Sequence, residues 1–255
     1  MTKKDFSTLH ADYAFFEAHT TEAQADMEGY LPFLRQRLET EAALRWLDFG
    51  CGSGNFTSLL LTSLQAPPEH LYLSLVEPDA SYRQAAQACL QRFTAHTIDA
   101  WSAMPMNTSQ PYDFALANHV LYYVPDLAAV VEQIVRSLKP TSRFITAMGG
   151  RDNTLAQIWE SSLPLLGQSL PYHTGEDLER VLAQFDYPYY KQRIDYVVRF
   201  PDSEQNRLHL LRFLFADHFD ERQRRQLLLL LEPYKEADLI VIPNHHEQYQ
   251  IVPIL

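Results

Sequence analysis

The chain is short of cysteine, of basic residues and of long apolar runs. Cys51 and Cys89 are the only two cysteines among 255 residues. Neither stands at a metal-ligand spacing, two cysteines do not make a disulfide scaffold, and they fit a reducing cytoplasm. Lys and Arg together number 21 against 32 Asp and Glu, so the net charge is -11. An acidic surface repels phosphate backbones, which argues against nucleic acid as a partner. The densest basic cluster, "ERQRRQ" (221–226), reads as a solvated helix face. The start, "MTKKDFSTLHADYAFFEAH", carries charge but no apolar core for a signal peptide. "LHLLRFLFADHF" and "LLLLLEPY" are too short and too interrupted to cross a membrane. No repeat or low-complexity segment is present. Glycine is scarce too, eight in all, and three of the eight fall within residues 50–54.

Apolar runs and helical patterns alternate. Residues 12–38 read as helix with a break near Pro32. Strands are expected at Leu44–Phe49, Leu71–Val76, His96–Asp99, Phe114–Asn118 and Arg143–Ala147. Helices are expected at Asn55–Gln65, Asp79–Phe93 and Asp126–Leu138. Continuous apolar strands between amphipathic helices argue a parallel sheet covered on both faces. After Gly149–Gly150 the rhythm changes: helices at 154–168 and 175–185, a strand at 195–200, two helices within 205–235 joined near Asp220, and strands at 238–243 and 249–255. Residues 201–237 interrupt the α/β order and read as a helical insertion.

The glycines sit in "LDFGCGSGNF", between the first strand and the first following helix. In an open α/β sheet, ligands bind beyond the strand carboxyl ends. Gly50, Gly52 and Gly54 let a loop turn tightly and let a ligand approach the backbone. The dinucleotide pattern G-x-G-x-x-G needs glycine at position 55, which is Asn55. The spacing is G-x-G-x-G, and Asp48 precedes it. An acid there disfavours a pyrophosphate and favours a cation, and S-adenosylmethionine carries an ammonium and a sulfonium. Glu77 ends the second strand, in "LVEPDA", where a carboxylate can accept both ribose hydroxyls. Asp99 ends the third and is a candidate acceptor for an adenine amino group, with Ala100 or Trp101 covering the ring. The fourth strand ends at Asn118–His119, followed by Tyr122 and Tyr123.

These motifs, with "RFITAMGG", stand in the order and spacing of the class I S-adenosylmethionine-dependent methyltransferases, which residues 40–150 resemble. The resemblance implies an α/β, Rossmann-like seven-stranded sheet with helices on both faces and an antiparallel last strand, supplied by "YQIVPIL". It implies one domain: a helical cap (1–40), a cofactor-binding core (41–150) and a C-terminal part (151–255) with substrate-side helices and the insertion. Asp48, Gly50, Cys51, Gly52, Gly54, Glu77, Pro78, Asp99, Ala100 and Asn118 would hold S-adenosylmethionine. A narrower likeness is to histamine N-methyltransferase and its relatives. It rests on Glu22 and Gln24 before Leu31–Pro32, on "HVLYYVPDLAAVVEQIVRSLKP", on the Trp-bearing "NTLAQIWESSLP", on "YHTGEDLERVLAQF" and on "IPNHHEQYQIV". It implies that Glu22, His119 and one of Asn244, His245 or His246 hold an amine.

Methyl transfer is an in-line displacement that needs neither a metal nor a covalent intermediate, and the protein mainly orients the partners. A nitrogen nucleophile must be neutral, so Glu22 is a candidate for binding a cation or taking its proton. His119 is a candidate base or hydrogen-bond partner. Tyr122 joins these as a catalytic candidate, with Tyr123, Trp159, Asn244 and His245 as substrate contacts; Trp159 reads equally well as core. Tyr13, Phe15 and Phe16 read as a lid or as helix packing. His245–His246 lacks a third ligand at a matching spacing, so no metal is expected. The expected partner is a small molecule, most simply an amine or imidazole. A small-molecule O-methyltransferase, or a methyltransferase-fold binding protein with little catalysis, is the alternative.

Overall fold

A computed structural model of the chain describes residues 9–40, 43–105 and 110–254. The first eight residues, on which part of the reading of the N-terminus rests, lie outside them. The apolar runs form parallel strands β1 (Leu44–Phe49), β2 (Leu71–Val76), β3 (Asp99–Trp101), β4 (Tyr112–Asn118) and β5 (Leu138–Met148). Between them lie α3 (Asn55–Leu64), α4 (Ala80–Leu90) and α5 (Leu127–Arg136), preceded by α1 (His10–Ala18) and α2 (Glu22–Thr40). The C-terminal part adds α6 (Thr154–Ser161), α7 (Leu163–Leu166), α8 (Gly175–Gln184), β6 (Tyr189–Pro201), α9 (Glu204–Phe215), α10 (Arg224–Leu229), β7 (Lys235–Glu236) and β8 (Leu239–Ile251).

The sheet order is β3-β2-β1-β4-β5-β8-β6, with β7 beside β8. β8 lies antiparallel to both β5 and β6. The strand order reverses between β1 and β4, and the crevice beyond their carboxyl ends is where such sheets bind ligands. Alternate strand residues serve the two faces. Leu47, Ala115 and Phe144 pack with α5 and α8, while Trp46, Phe114 and Ile145 pack with α2, α3 and α4. A third core joins α6, α9 and α10 to Val198, Phe200, Ile240 and Ile242 of β6 and β8.

Several boundaries differ from the sequence expectation. Pro32 lies inside α2, and the helical run breaks at residues 19–21. There Thr20 bridges Val198, the Thr21 N–H donates to the Val197 carbonyl, and the Arg199 N–H donates to the His19 carbonyl. Pairing with the β6 edge breaks the helix, while buried Tyr30 and Leu34 seat α2 on either side of the proline. β3 starts at Asp99 rather than His96, because Thr94 and His96 are held by the Leu71 and Glu69 carbonyls. The expected strands at 238–243 and 249–255 are one strand, paired with β6 from Pro201↔Leu239 to Tyr189↔Ile251. It ends at Ile251, ahead of Pro253, which has no N–H for a ladder; Leu255 lies outside the described residues. Among the described residues the expected seven strands form one path, and the two-residue β7 adds an eighth beside β8. The helix expected over 154–168 breaks at Ser162, and the second insertion helix shortens to α10 between 3-10 turns.

Candidate active site

The loop after β1 has left-handed φ at Gly50 (71°), Gly52 (53°) and Gly54 (81°), a region L-residues avoid. A Cβ on Gly50 would stand 2.2 Å from Val120 Cγ2, and one on Gly54 would stand 3.1 Å from the Ala86 Cα of α4. A Cβ on Gly52 would meet nothing within 4 Å, so the loop's middle faces open space. Two glycines serve packing, and the central one leaves room for a ligand. Glu77 lies against this opening. Its carboxylate accepts from the Gly52 N–H at 3.1 Å and the Asp79 N–H at 2.9 Å. Asp48 is buried beneath the loop and accepts from the Thr57 hydroxyl at 2.6 Å. Burial lifts its carboxyl to about 7; the Thr57 bond opposes the rise and Glu77 adds to it. Two acids with backbone donors between them suit a ligand that brings its own positive charge, as S-adenosylmethionine does. Half-buried Cys51 and Ala100 and exposed Pro78 and Asp99 border the same strand ends.

A second group of polar residues lies beside this crevice. Glu22, Asp26 and Tyr30 recur at every fourth position of α2 and so share one face. Asp26 is fully buried. Its Oδ2 lies 2.9 Å from His119 Nε2 and accepts from Asn118 Nδ2 at 3.1 Å. Its Oδ1 lies 2.7 Å from His246 Nε2 and accepts from Gln248 Nε2 at 2.8 Å. Burial favours the protonated acid, but the two histidines outweigh it and hold the Asp26 carboxyl well below the carboxylate range. Burial likewise lowers the His119 pKa, yet Glu22 and Asp26 overcome this and push it up to about 9. His119 is therefore an imidazolium at neutral pH in the free chain. It has φ 53°, strained for a side-chain-bearing residue, a device that recurs at functional sites.

Tyrosines surround Glu22. The Glu22 carboxylate helps raise the hydroxyl pKa values of Tyr13, Tyr122, Tyr123 and Tyr196, after the larger effect of burial. The Tyr122 hydroxyl accepts from the Gly149 N–H at 2.5 Å, and its ring lies parallel to His119 with centroids 6.2 Å apart. Tyr172 packs edge-on against Tyr122 and Tyr123.

The sequence-read candidates thus fall into place unevenly. Glu22, His119, Tyr122 and Tyr123 come together. Asn118, expected on the cofactor side, turns its amide to Tyr30 and Asp26. Among residues 244–246, His246 enters the cluster and Asn244 supports it by donating to the Tyr196 hydroxyl at 2.7 Å. His245 points to the other face of β8, 3.1 Å from Asp152. Trp159 is buried behind Tyr172 against Phe215. Phe15 and Phe16 stack on His209 and Phe213 of α9, so they pack the cap on the insertion, and Tyr13 packs near Phe213 and hydrogen-bonds Glu17, with Glu22 as a weaker electrostatic neighbour. Sequence reading missed Asp26, Tyr172, Tyr196 and Gln248. The four-residue spacing from Glu22 and the alternation Asn244, His246, Gln248 were the available signals. Metal ligands are also not absent in space: Glu22, His119 and His246 offer atoms within 4.8 Å of one another.

Known proteins resemble the chain in sequence and in fold. A family profile described as a methyltransferase domain matches residues 20–192. A trans-aconitate 2-methyltransferase of Methylobacterium nodulans is 31% identical over 130 residues, 51% of this chain and 45% of the relative. One from Azoarcus sp. is 27% identical over 129 residues, 50% of this chain and 45% of the relative. The chain spans about half the length of the curated relatives it matches, and these do not carry the narrower likeness to histamine N-methyltransferase. Among solved structures, YcgJ of Bacillus subtilis superposes with a TM-score of 0.61 at 13% identity, covering 89% of this chain and 99% of that one. A putative sarcosine dimethylglycine methyltransferase of Galdieria sulphuraria gives 0.55 at 11% identity, covering 89% and 84%. The [4+2]-cyclase SpnF gives 0.53 at 16% identity, covering 88% and 80%. Among the described residues no helix is long and apolar enough to cross a membrane. The glycine loop, its two acids and the matched profile together place the chain in the methyltransferase-domain family, as a class I S-adenosylmethionine-dependent methyltransferase.

Proposed function

We propose that this methyltransferase acts on a small molecule and places the methyl group on an amine or imidazole nitrogen. The observation that carries the reading is Glu22, a half-buried carboxylate walled by tyrosines whose ion contacts among the described residues are histidines, not Lys or Arg. Such a site favours a ligand that brings N–H donors and positive charge. A polycarboxylate would meet Glu22 and Asp26 as like charges.

Gly50, Cys51, Gly52 and Gly54 line the cofactor loop, with Asp48 and Glu77 as its acids and Pro78, Asp99 and Ala100 along the strand ends. Bound S-adenosylmethionine supplies an electrophilic methyl group on a sulfonium. Glu22 binds the acceptor cation and takes its proton, freeing the nitrogen lone pair. His119, already protonated, acts as a donor and counter-charge rather than as the base. Tyr122 and Tyr123 fix the acceptor's orientation, with Tyr172 and Trp159 behind them; holding partners in line can contribute about 7–11 kcal/mol. The chain works as one unit, a cap (1–40), a cofactor-binding core (41–150) and a C-terminal part (151–255), in a reducing cytoplasm where Cys51 and Cys89 stay thiols.

The named relatives favour a second reading, O-methylation of a small carboxylic acid, with the His119 imidazolium as the cation. The test is methyl-labelled S-adenosylmethionine with a panel of amines, imidazoles, and mono- and tricarboxylic acids including trans-aconitate. Label on an amine or imidazole, lost in Glu22→Gln, is the expected result. Label on a carboxylate overturns the nitrogen assignment. Cofactor binding without transfer to any class leaves the binding-protein reading.

A further inference from the structure

Asp26 fixes the tautomer of His246. Both Asp26 oxygens accept from amide N–H groups, Asn118 on Oδ2 and Gln248 on Oδ1, so His246 Nε2, 2.7 Å from Asp26 Oδ1, is the donor of that pair and carries the hydrogen. Its Nδ1 then presents a lone pair. That nitrogen is buried, and among the described residues it has no hydrogen-bond partner. It faces Glu22 Oε1 at 4.0 Å, and His119 Nε2 lies 3.8 Å from the same oxygen. A histidine with one nitrogen on a carboxylate and the other free is the arrangement that orients ligating imidazoles.

We propose that Glu22, His119 and His246, backed by Asp26, form a binding site for a zinc-type divalent cation. Two imidazoles with carboxylates suit zinc or cobalt, whereas magnesium and calcium prefer oxygen alone. Bond lengths of about 2.0–2.1 Å to nitrogen place tetrahedral ligand atoms about 3.4 Å apart. The three ligand atoms lie within 4.8 Å of one another; Glu22, a long side chain in the first turn of α2, can close on the imidazoles by rotation, and His119 Nε2, 2.9 Å from Asp26 Oδ2, turns from Asp26 to face the ion. The charges balance. One divalent ion matches the two carboxylates of Glu22 and Asp26, and any hydrogen on His119 Nε2, which faces Asp26 Oδ2 at 2.9 Å, leaves before that nitrogen binds the ion. The spacing of these ligands in the chain, 22, 119 and 246, hides the site from any linear motif. Where the acceptor is the nitrogen base proposed above, ion and acceptor share Glu22 and exclude each other. That consequence rests on the nitrogen reading; the site itself does not.

The test titrates the full-length protein, free of acceptor, with zinc chloride by calorimetry, and with cobalt by visible absorption. One equivalent is expected, with the intense ligand-field bands of a four- or five-coordinate cobalt site, and magnesium should not compete. His246→Ala and Glu22→Gln should each weaken zinc at least tenfold. Both should bind S-adenosylmethionine as the parent does, which shows that they fold; if the buried His246→Ala does not, Glu22→Gln decides. Absence of a stoichiometric zinc site, or unchanged affinity in a folded variant, overturns the proposal. The amine panel run with a metal chelator reads the nitrogen assignment separately, so either can fail alone.

Discussion

Asp48 is held by burial in a state close to half-protonated at neutral pH, and this has two measurable effects. A carboxyl raised from its unfolded value of 3.8 to about 7 binds more protons folded than unfolded between those limits. Stability contributed by Asp48 therefore falls as pH rises from about 4 to about 7. Cation binding has the opposite sign, because the ionised acid attracts the ligand. For a group titrating near 7, S-adenosylmethionine affinity should rise about tenfold from pH 6 to pH 8, with proton release on binding. Calorimetry in two buffers of different ionisation enthalpy reads both; a flat profile would remove Asp48 from the cofactor site. Glu77→Ala should weaken cofactor binding by about 1.5–3 kcal/mol, since charge-assisted hydrogen bonds are lost. Unchanged affinity sinks that assignment. Asp48, the glycines and Glu77 were legible because their chemistry follows one strand and one turn. Asp26 was not: its partners stand 92 to 222 positions away, and a lone acid in a helix looks like a solvated one.

At the scale of elements, α2 and β8 together build the cluster proposed as the acceptor side. α2 offers Glu22, Asp26 and Tyr30 at every fourth position, and β8 offers Asn244, His246 and Gln248 at every second. Each stripe was readable in its own period, but the contact between them was not. Gly29 sets their closeness: a Cβ there would lie 2.1 Å from Gln248 Oε1, an atom anchored near Gln192 while the same amide donates to Asp26. Gly29→Val should push α2 off β8 and destabilise the fold by about 1–3 kcal/mol, although valine is the better helix former. A melting temperature at or above the parent's would mean that the helix has room. Strand reading erred for related reasons. "NHHEQ" is polar and reads as a loop, yet β6 pairs along it and buried partners satisfy its side chains. Pro32 reads as a break, yet burial of Tyr30 and Leu34 keeps α2 continuous.

At the scale of the whole molecule, Asp26 joins the cap helix α2, the end of β4 through Asn118 and His119, and β8 through His246 and Gln248. Asp26→Ala would leave those four donors facing one another in the interior, one of them charged. Removing one partner of a buried ionic network costs about 3–5 kcal/mol, and urea unfolding at pH 7 should show a loss of that size. The pH dependence separates this network from simple packing. A histidine raised to about 9 contributes stability that is full below its unfolded value of 6.5 and lost as pH climbs through 9. The Asp26 carboxylate, held low, contributes stability present above pH 4 and lost only in acid. The parent should therefore lose stability steadily between pH 6.5 and about 9, and Asp26→Ala should show a shallower slope there, since Glu22 alone is left to raise His119. If the variant keeps the parent's slope, or loses under about 1 kcal/mol, the figure for an ordinary hydrogen bond, the cap is held by its apolar face alone.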